Sequence, residues 1–265
     1  MHDMEVSTKR PSLFSAPPET RLRLAIISTP RSGNTWVRNL LAQLYELEEV
    51  PVHFPEEIHW DSLPERCVIQ LHWYPLESLT TKLEKAGVRV VVLARNPFDI
   101  LISWLNYSIY VHQWGLCPGA DTCDKCEVVG ISPQSQSLID YTAGSTGHWF
   151  LNHSPAWWNR EGVIRARYED LVAEPELAYG RLIESIGEAP HKPLAEVLEA
   201  TSIHKMKASV DSWWVGHYWQ GQPGLWRKLI PAKVAHAIAA ANPIPFEVLG
   251  YPCDPDESLL SLIHI

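Results

Sequence analysis

Three groups of side chains in this sequence could do chemistry on an anion. The first is the run Thr29-Pro30-Arg31-Ser32-Gly33-Asn34-Thr35-Trp36. Arg31 supplies a fixed positive charge, Ser32 and Thr35 supply hydroxyls, and Gly33 lets the backbone approach a ligand closely. An apolar run precedes this loop and a helical pattern follows it. Its backbone N–H groups should therefore converge at a helix N-terminus, where the helix dipole favours negative charge. The second group is Arg95 with Ser103, eight residues apart, a fitting clamp for a phosphate monoester. The third is His72 in Ile69-Gln70-Leu71-His72. An imidazole with an ordinary pKa of about 6.5 can take a proton from a hydroxyl at neutral pH. Each group also has a plainer structural reading. The loop could be a simple turn, Arg95 could pair with Asp99, and His72 could bond a loop carbonyl.

The elements around these residues follow from hydrophobic spacing. Leu22–Ser28 (LRLAIIS) reads as a buried strand, and Asn34–Glu46 as a helix with Trp36, Leu40, Leu41 and Leu44 on one side. Cys67–Leu71 reads as a second strand and Leu76–Ala86 as a helix. Val88–Ala94 (VRVVVLA) is β-branched and apolar nearly throughout, the mark of a central parallel strand. Asn96-Pro97 then opens a helix, with Asn as N-cap, Pro at the first helical position and Asp99 in the first turn. Val163–Tyr168 is a fourth strand, followed by a helix over Glu176–Ile186, and Lys233–Ala241 is an Ala-rich closing helix. This alternation predicts an α/β fold of three layers, with a central, mostly parallel β-sheet flanked by helices. His72 and Arg95 then stand at the carboxyl ends of parallel strands, where ligands bind in open α/β sheets.

Residues 108–160 break the rhythm and are read as an inserted, loop-rich cap. Residues 205–226 also read mostly as loop. Residues 1–21 are a polar, Pro-bearing, flexible lead-in, 22–255 a single domain, and 256–265 a tail whose last five residues follow no structural pattern.

Composition bounds the function. The chain has 265 residues, 46% hydrophobic and 20% charged, which excludes wholesale disorder. A net charge of -9 argues against nucleic-acid binding and leaves room for a local basic site. No run approaches a transmembrane span, and Met1–Arg10 lacks the apolar core of a secretory signal, so a cytoplasmic protein without membrane partners is expected. Five Cys in such a chain do not read as a disulfide framework.

The nucleotide P-loop G-x-x-x-x-G-K-S/T needs a Lys after its second Gly and a Gly at its first position, and neither is here. The run Thr29 to Trp36 instead resembles the phosphosulfate-binding loop of sulfotransferases that use 3′-phosphoadenylyl sulfate (PAPS), typically Tyr-Pro-Lys-Ser-Gly-Thr-Thr-Trp. Val91 to Ser103 (VVLARNPFDILIS) resembles that family's 3′-phosphate segment, a strand ending in Arg-Asn-Pro-x-Asp with Ser eight residues after Arg. Further along, Arg167-Tyr168-Glu169-Asp170-Leu171 resembles its Tyr-Glu-Asp-Leu segment, and Thr201-Ser202-Ile203-His204-Lys205-Met206 its Thr-Ser-Phe-x-x-Met segment. Gly221-Gln222-Pro223-Gly224-Leu225-Trp226 is similar to the closing Arg-Lys-Gly-x-x-Gly-Asp-Trp loop. There Trp219 and Gln220 replace Arg and Lys, and Leu225 replaces Asp; Arg227 or Lys228 could take over the lost charge.

The resemblance implies sulfuryl transfer from PAPS to a hydroxyl, or an amine, of a small acceptor. It implies nucleotide contacts from Arg31, Ser32, Gly33, Asn34, Thr35, Trp36, Arg95, Ser103, Tyr168, Thr201, Ser202, Ile203, Met206 and Gly221. His72 matches the position of the family's catalytic His, and Gln70 stands where that segment has Lys. Arg31 replaces the loop's Lys, so it should stabilise the leaving oxygen electrostatically and not protonate it. Phe54, Trp60 and Tyr74 are the expected acceptor-binding residues, among aromatics that include His53, His59 and Trp73; His148, His153, Trp157 and Trp158 could line the site or simply pack. Cys117, Cys123 and Cys126 with His112 offer enough ligands for a zinc knuckle, but only the C-x2-C half has suitable spacing, so free thiols and no required metal are expected. A P-loop kinase or NTPase, or a non-catalytic nucleotide-binding module, are the alternatives. No dimerisation motif is evident, which leaves the oligomeric state open.

Overall fold

A computed structural model describes residues 21–50, 52, 54–115, 126–208 and 220–258. Strand β1 (Leu22–Ile27) leads through the Ser28–Gly33 loop into helix α1 (Asn34–Tyr45). There follow β2 (Glu48–Val50), β3 (Arg66–Leu71), α2 (Glu77–Lys85), β4 (Val88–Ala94) and α3 (Pro97–Gln113). Helices α4 (Gln136–Ala143), α5 (Ser145–Leu151) and α6 (His153–Trp158) precede β5 (Ile164–Arg167). The chain continues through α7 (Tyr168–Ala173), α8 (Pro175–Ile186), α9 (Leu194–Ala200), α10 (Ile203–Ala208), α11 (Ala232–Ala241) and α12 (Pro243–Leu249).

The five strands form one all-parallel sheet in the order β2-β3-β1-β4-β5. The chain fills one side of β1 with β3 and the other with β4. The loop leaving β1 therefore sits at the switch point, where the carboxyl ends of a parallel sheet open a crevice. Strand alternation splits the core by face. Leu24, Ile26, Val68, Val91 and Leu93 pack under α1 and α8. Ala25, Ile27, Ile69, Leu71, Val92 and Ala94 pack with Leu79 and Leu83 of α2 and Trp157 of α6.

The expected strands and major helices are present, and Asn96 caps α3 by accepting from the Phe98 N–H at 3.0 Å. The region expected to be loop differs. Residues 136–158 form three helices; α6 packs in the second core cluster, while α4 and α5 close a third with α3 and α11. Leu138, Phe150 and Leu151 are buried there, so burial stabilises short helices that local spacing signals poorly. Phe98 anchors the cluster, 4.3 Å from the Trp226 ring and 4.8 Å from Phe246. Cys117, Cys123, Trp213, Trp214, Trp219 and His53 lie outside the described residues, as does the Cys126 side chain. No helix among the described residues is long and apolar enough to cross a membrane.

Candidate active site

The Ser28–Gly33 loop is clamped before it meets any ligand. Ser28 Oγ accepts from the Leu93 N–H at 2.7 Å, which ties the end of β1 to β4. Ser154 of α6 then bridges the same elements. Its hydroxyl donates to Leu93 O at 2.7 Å and accepts from the Thr29 N–H at 2.8 Å, and its own N–H donates to Thr29 Oγ1 at 3.1 Å. Asn34 closes the loop with an Nδ2–H to Thr29 O at 3.1 Å. Two residues take left-handed backbone angles, Arg31 at φ 68 and Gly33 at φ 94. A Cβ on Gly33 would stand 2.6 Å from Tyr168 Cδ2, so this position takes glycine on two counts.

Arg31 and Arg95, 64 residues apart, converge on this loop. Arg95 donates from Nη1 to Arg31 O at 2.7 Å, and its guanidinium lies over the Tyr168 ring, 4.3 Å from the centroid. Arg31 donates from Nε to Ser103 Oγ at 3.1 Å and rests 4.5 Å over the Tyr107 ring. Three polar atoms here are buried without a hydrogen-bond partner, Ser32 Oγ, Asn34 Oδ1 and Arg95 Nε. Leaving a buried polar group unpaired costs about 1–3 kcal/mol, more for a charged one. The Ser32 hydroxyl and the Arg95 N–H can both donate to a bound anion.

Asp99, the sequence-level partner for Arg95, does something else. Its carboxylate accepts from the Gly224 N–H at 2.6 Å and the Trp226 N–H at 3.1 Å, so it tethers the closing loop. Burial pushes its pKa up, opposed by those two N–H groups and by the charge of Arg95. Tyr168 holds the same loop from the other side, donating its O–H to Gly221 O at 2.7 Å. The closing loop is thus anchored despite its altered sequence. Arg227 does not turn inward as a substitute cation; its guanidinium pairs with Asp254 at 2.5 Å.

The remaining nucleotide residues are placed unevenly. Trp36 packs edge-on against Tyr168 and Tyr179. Ile203 is 43% exposed beside Gly221, while Met206 is buried. Thr201 is fully buried and donates its hydroxyl to Val197 O at 2.8 Å, inside its own helix. Ser202 Oγ accepts from the Lys205 N–H at 3.5 Å at the start of α10. Both hydroxyls thus have local partners in the structure.

His72 faces the loop from the end of β3. Its Nδ1 lies 2.8 Å from Ser28 O, and its Nε2 lies 3.4 Å from the Gln70 amide nitrogen. Ser28 O can only accept, so Nδ1 carries the proton and Nε2 presents the lone pair in the neutral ring. Next to it runs an aromatic wall. Phe54 meets Trp73 at 5.9 Å, Trp73 meets Trp149 at 6.5 Å, and Tyr74 lies 4.9 Å from His153. Tyr74 donates its O–H to Trp149 O at 2.9 Å. Trp60, like Trp73 of this wall, packs against the core cluster that includes Ile58 and Leu63. Trp157 and Trp158 are buried as packing residues.

Spacing could not single out Asp99, Ser154 or Trp149 for these roles, because each acts through a partner far away in the chain. His153 carries a pH signature of its own. It is fully buried and donates from Nδ1 to Phe150 O at 3.0 Å, and burial pushes its pKa down to about 4 from 6.5. The unfolded chain therefore binds a proton below pH 6.5 that the folded chain refuses until about pH 4. Stability from this group is complete above pH 6.5 and is lost as pH falls toward 4, by up to ~3 kcal/mol. Urea unfolding of the wild type and His153→Phe at pH 7.5 and 5 should show a smaller acid loss in the variant. An equal loss would assign the acid sensitivity elsewhere.

A family model described as sulfotransferase domain matches residues 22–236. The chain belongs to the sulfotransferase family. Among curated relatives, sulfotransferase 1A1 of Rattus norvegicus is 25% identical over 207 residues, 69% of this chain and 66% of that protein. The matches span about two thirds of the length of such relatives. Among solved structures, mouse sulfotransferase SULT7A1 complexed with PAP has a TM-score of 0.59 at 15% identity, covering 88% of this chain and 90% of that one. Retinol dehydratase with androsterone and inactive cofactor PAP has a TM-score of 0.50 at 14% identity, covering 87% and 82%. These structures share the fold of this sulfotransferase: an all-parallel sheet with helices on both faces.

Proposed function

We propose that the protein transfers a sulfuryl group from PAPS to a hydroxyl, or an amine, of a small acceptor and releases adenosine 3′,5′-bisphosphate. The convergence of Arg31, Arg95, Ser32 and Ser103 at the mouth of the sheet, with His72 beside it, carries this reading. Ser32, Gly33, Asn34 and Thr35 offer the helix N-terminus and hydroxyls to the 5′-phosphosulfate. Arg95 and Ser103 suit the 3′-phosphate, and Trp36, Tyr168, Ile203, Met206 and Gly221 surround the nucleoside. Thr201 and Ser202 belong to the same nucleoside pocket. Phe54 and Tyr74 with Trp73 and Trp149 suit an apolar or aromatic acceptor.

In the transfer, His72 Nε2 takes the acceptor's proton as the acceptor oxygen attacks sulfur. The bond from sulfur to the bridging phosphate oxygen breaks, and its electron pair leaves on that oxygen. Arg31 stabilises the developing charge without giving up a proton, since a guanidinium pKa exceeds about 12. No step calls for a metal ion. The assignment includes a cytoplasmic setting, in keeping with the free thiols of Cys67 and Cys253.

Thermal stabilisation tests the donor site. Adenosine 3′,5′-bisphosphate at a hundredfold excess over its Kd should raise Tm by about 5–10 °C, while ATP with Mg²⁺ should do little. Stabilisation by ATP-Mg²⁺ alone would overturn the reading in favour of a P-loop kinase or NTPase. Labelled PAPS with a panel of phenols, alcohols and amines then tells an enzyme from a binding module.

A further inference from the structure

Gln70 lies near the end of β3, and His72 follows directly after the strand's last residue, Leu71. Gln70 Oε1 lies 3.3 Å from Nη1 of Arg38, one turn into α1. Arg38 in turn pairs through Nε with Glu49 of β2 at 2.5 Å. On the other side, the Gln70 amide nitrogen lies 3.4 Å from His72 Nε2, and His72 Nδ1 lies 2.8 Å from Ser28 O.

Each group in this chain has its polarity set by its neighbour. A guanidinium only donates, so the oxygen of the Gln70 carboxamide must face Arg38. The NH2 of that amide then faces His72 and asks for a lone pair on Nε2. A carbonyl only accepts, so Ser28 O asks for a proton on Nδ1. Both ends demand the same tautomer. We propose that Glu49, Arg38 and Gln70 form a relay that holds His72 as the Nδ1–H tautomer, with its Nε2 lone pair presented for proton abstraction. Arg38 and Glu49 touch no reacting atom and are positioning residues. The arrival of an acceptor hydroxyl replaces the amide at Nε2, so the relay orients the ring without blocking it.

This inference rests on the proposed role of His72 as base, and its test separates the two. Gln70→Glu is isosteric and stays paired with Arg38, but it puts an acceptor where the amide donor was. It should place a proton on Nε2, visible in the ring nitrogen signals of His72 by ¹⁵N NMR. The same variant should lower kcat about tenfold or more with KM for PAPS unchanged. Arg38→Leu and Gln70→Leu should each lower kcat in the same direction, and the double variant should be no worse than the more damaging single one. Rescue completes the set: Gln70→Lys should be poor beside Arg38 and better with Arg38→Ser, because two cations then no longer face each other. Unchanged His72 signals in Gln70→Glu, or additive losses in the double variant, would overturn the relay. A wild type with Nε2 unprotonated but no turnover would sink the base reading and leave the relay standing.

Discussion

Replacing His72 with alanine should reduce sulfuryl transfer by about 10²–10⁴-fold while leaving affinity for adenosine 3′,5′-bisphosphate nearly unchanged. The separation follows from where the ring sits. It bonds Ser28 O and the Gln70 amide, two groups outside the Arg31, Arg95 and Ser103 constellation. The variant loses the brace on Ser28 O, worth about 1 kcal/mol, which shows as a small drop in Tm. The loop keeps its other ties through Ser28 Oγ, Thr29 and Ser154. His72→Asn sharpens the test, because its amide can still donate to Ser28 O while no base remains. It should be as inactive as the alanine variant and more stable. If nucleotide affinity fell along with turnover in both, His72 would be a structural brace and the base would have to be sought elsewhere.

The residues differ in how far they could be read in advance, and the difference has a physical cause. A loop between a strand and a helix is a local object. Arg31, Ser32, Gly33 and Asn34 had to gather at the α1 N-terminus once β1 and α1 formed, and they do. Asn96 likewise caps α3 through the N–H of Phe98, two residues on. The Arg31–Ser103 and Asp99–Gly224 contacts depend on how distant segments meet, and no spacing encodes that. The aromatic wall is tertiary too: Phe54 meets Trp73, while Trp60 and Trp73 pack on one core cluster, and no local spacing encodes either contact. Strand β2 leaves no apolar signature, because it is a three-residue edge strand whose two glutamates are exposed. That edge supplies Glu49, the anchor of Arg38, so part of the site's second layer was hidden with it. The acidic total of the chain concealed the site in another way. Net charge sums over the surface, whereas Arg31 and Arg95 act within a few ångströms of one loop.

Gly33→Ala should cost both fold stability and nucleotide binding, and a second glycine provides the reference. Gly162 also has a left-handed backbone, at φ 74, but a Cβ there would meet nothing within 4 Å. Gly162→Ala should therefore show only the price of that conformation in a residue with a Cβ, about 1–2 kcal/mol. Gly33→Ala carries the same cost at φ 94 and adds a Cβ 2.6 Å from Tyr168 Cδ2 and 2.8 Å from Cε2. One of the two must move. The ring is pinned by the Arg95 guanidinium on its face and by its O–H on Gly221 O, so its displacement disturbs the cation and the closing loop together. The loop is pinned by Ser154 and Asn34, so its displacement turns the N–H groups away from their shared focus. Either response weakens adenosine 3′,5′-bisphosphate binding, tenfold for each ~1.4 kcal/mol of disruption. Calorimetric titration and urea unfolding of both variants should show equal nucleotide affinity for Gly162→Ala and wild type, and losses in both measurements for Gly33→Ala. Comparable behaviour of the two variants would mean that the Tyr168 ring yields freely and that the close packing at Gly33 does not shape the anion site.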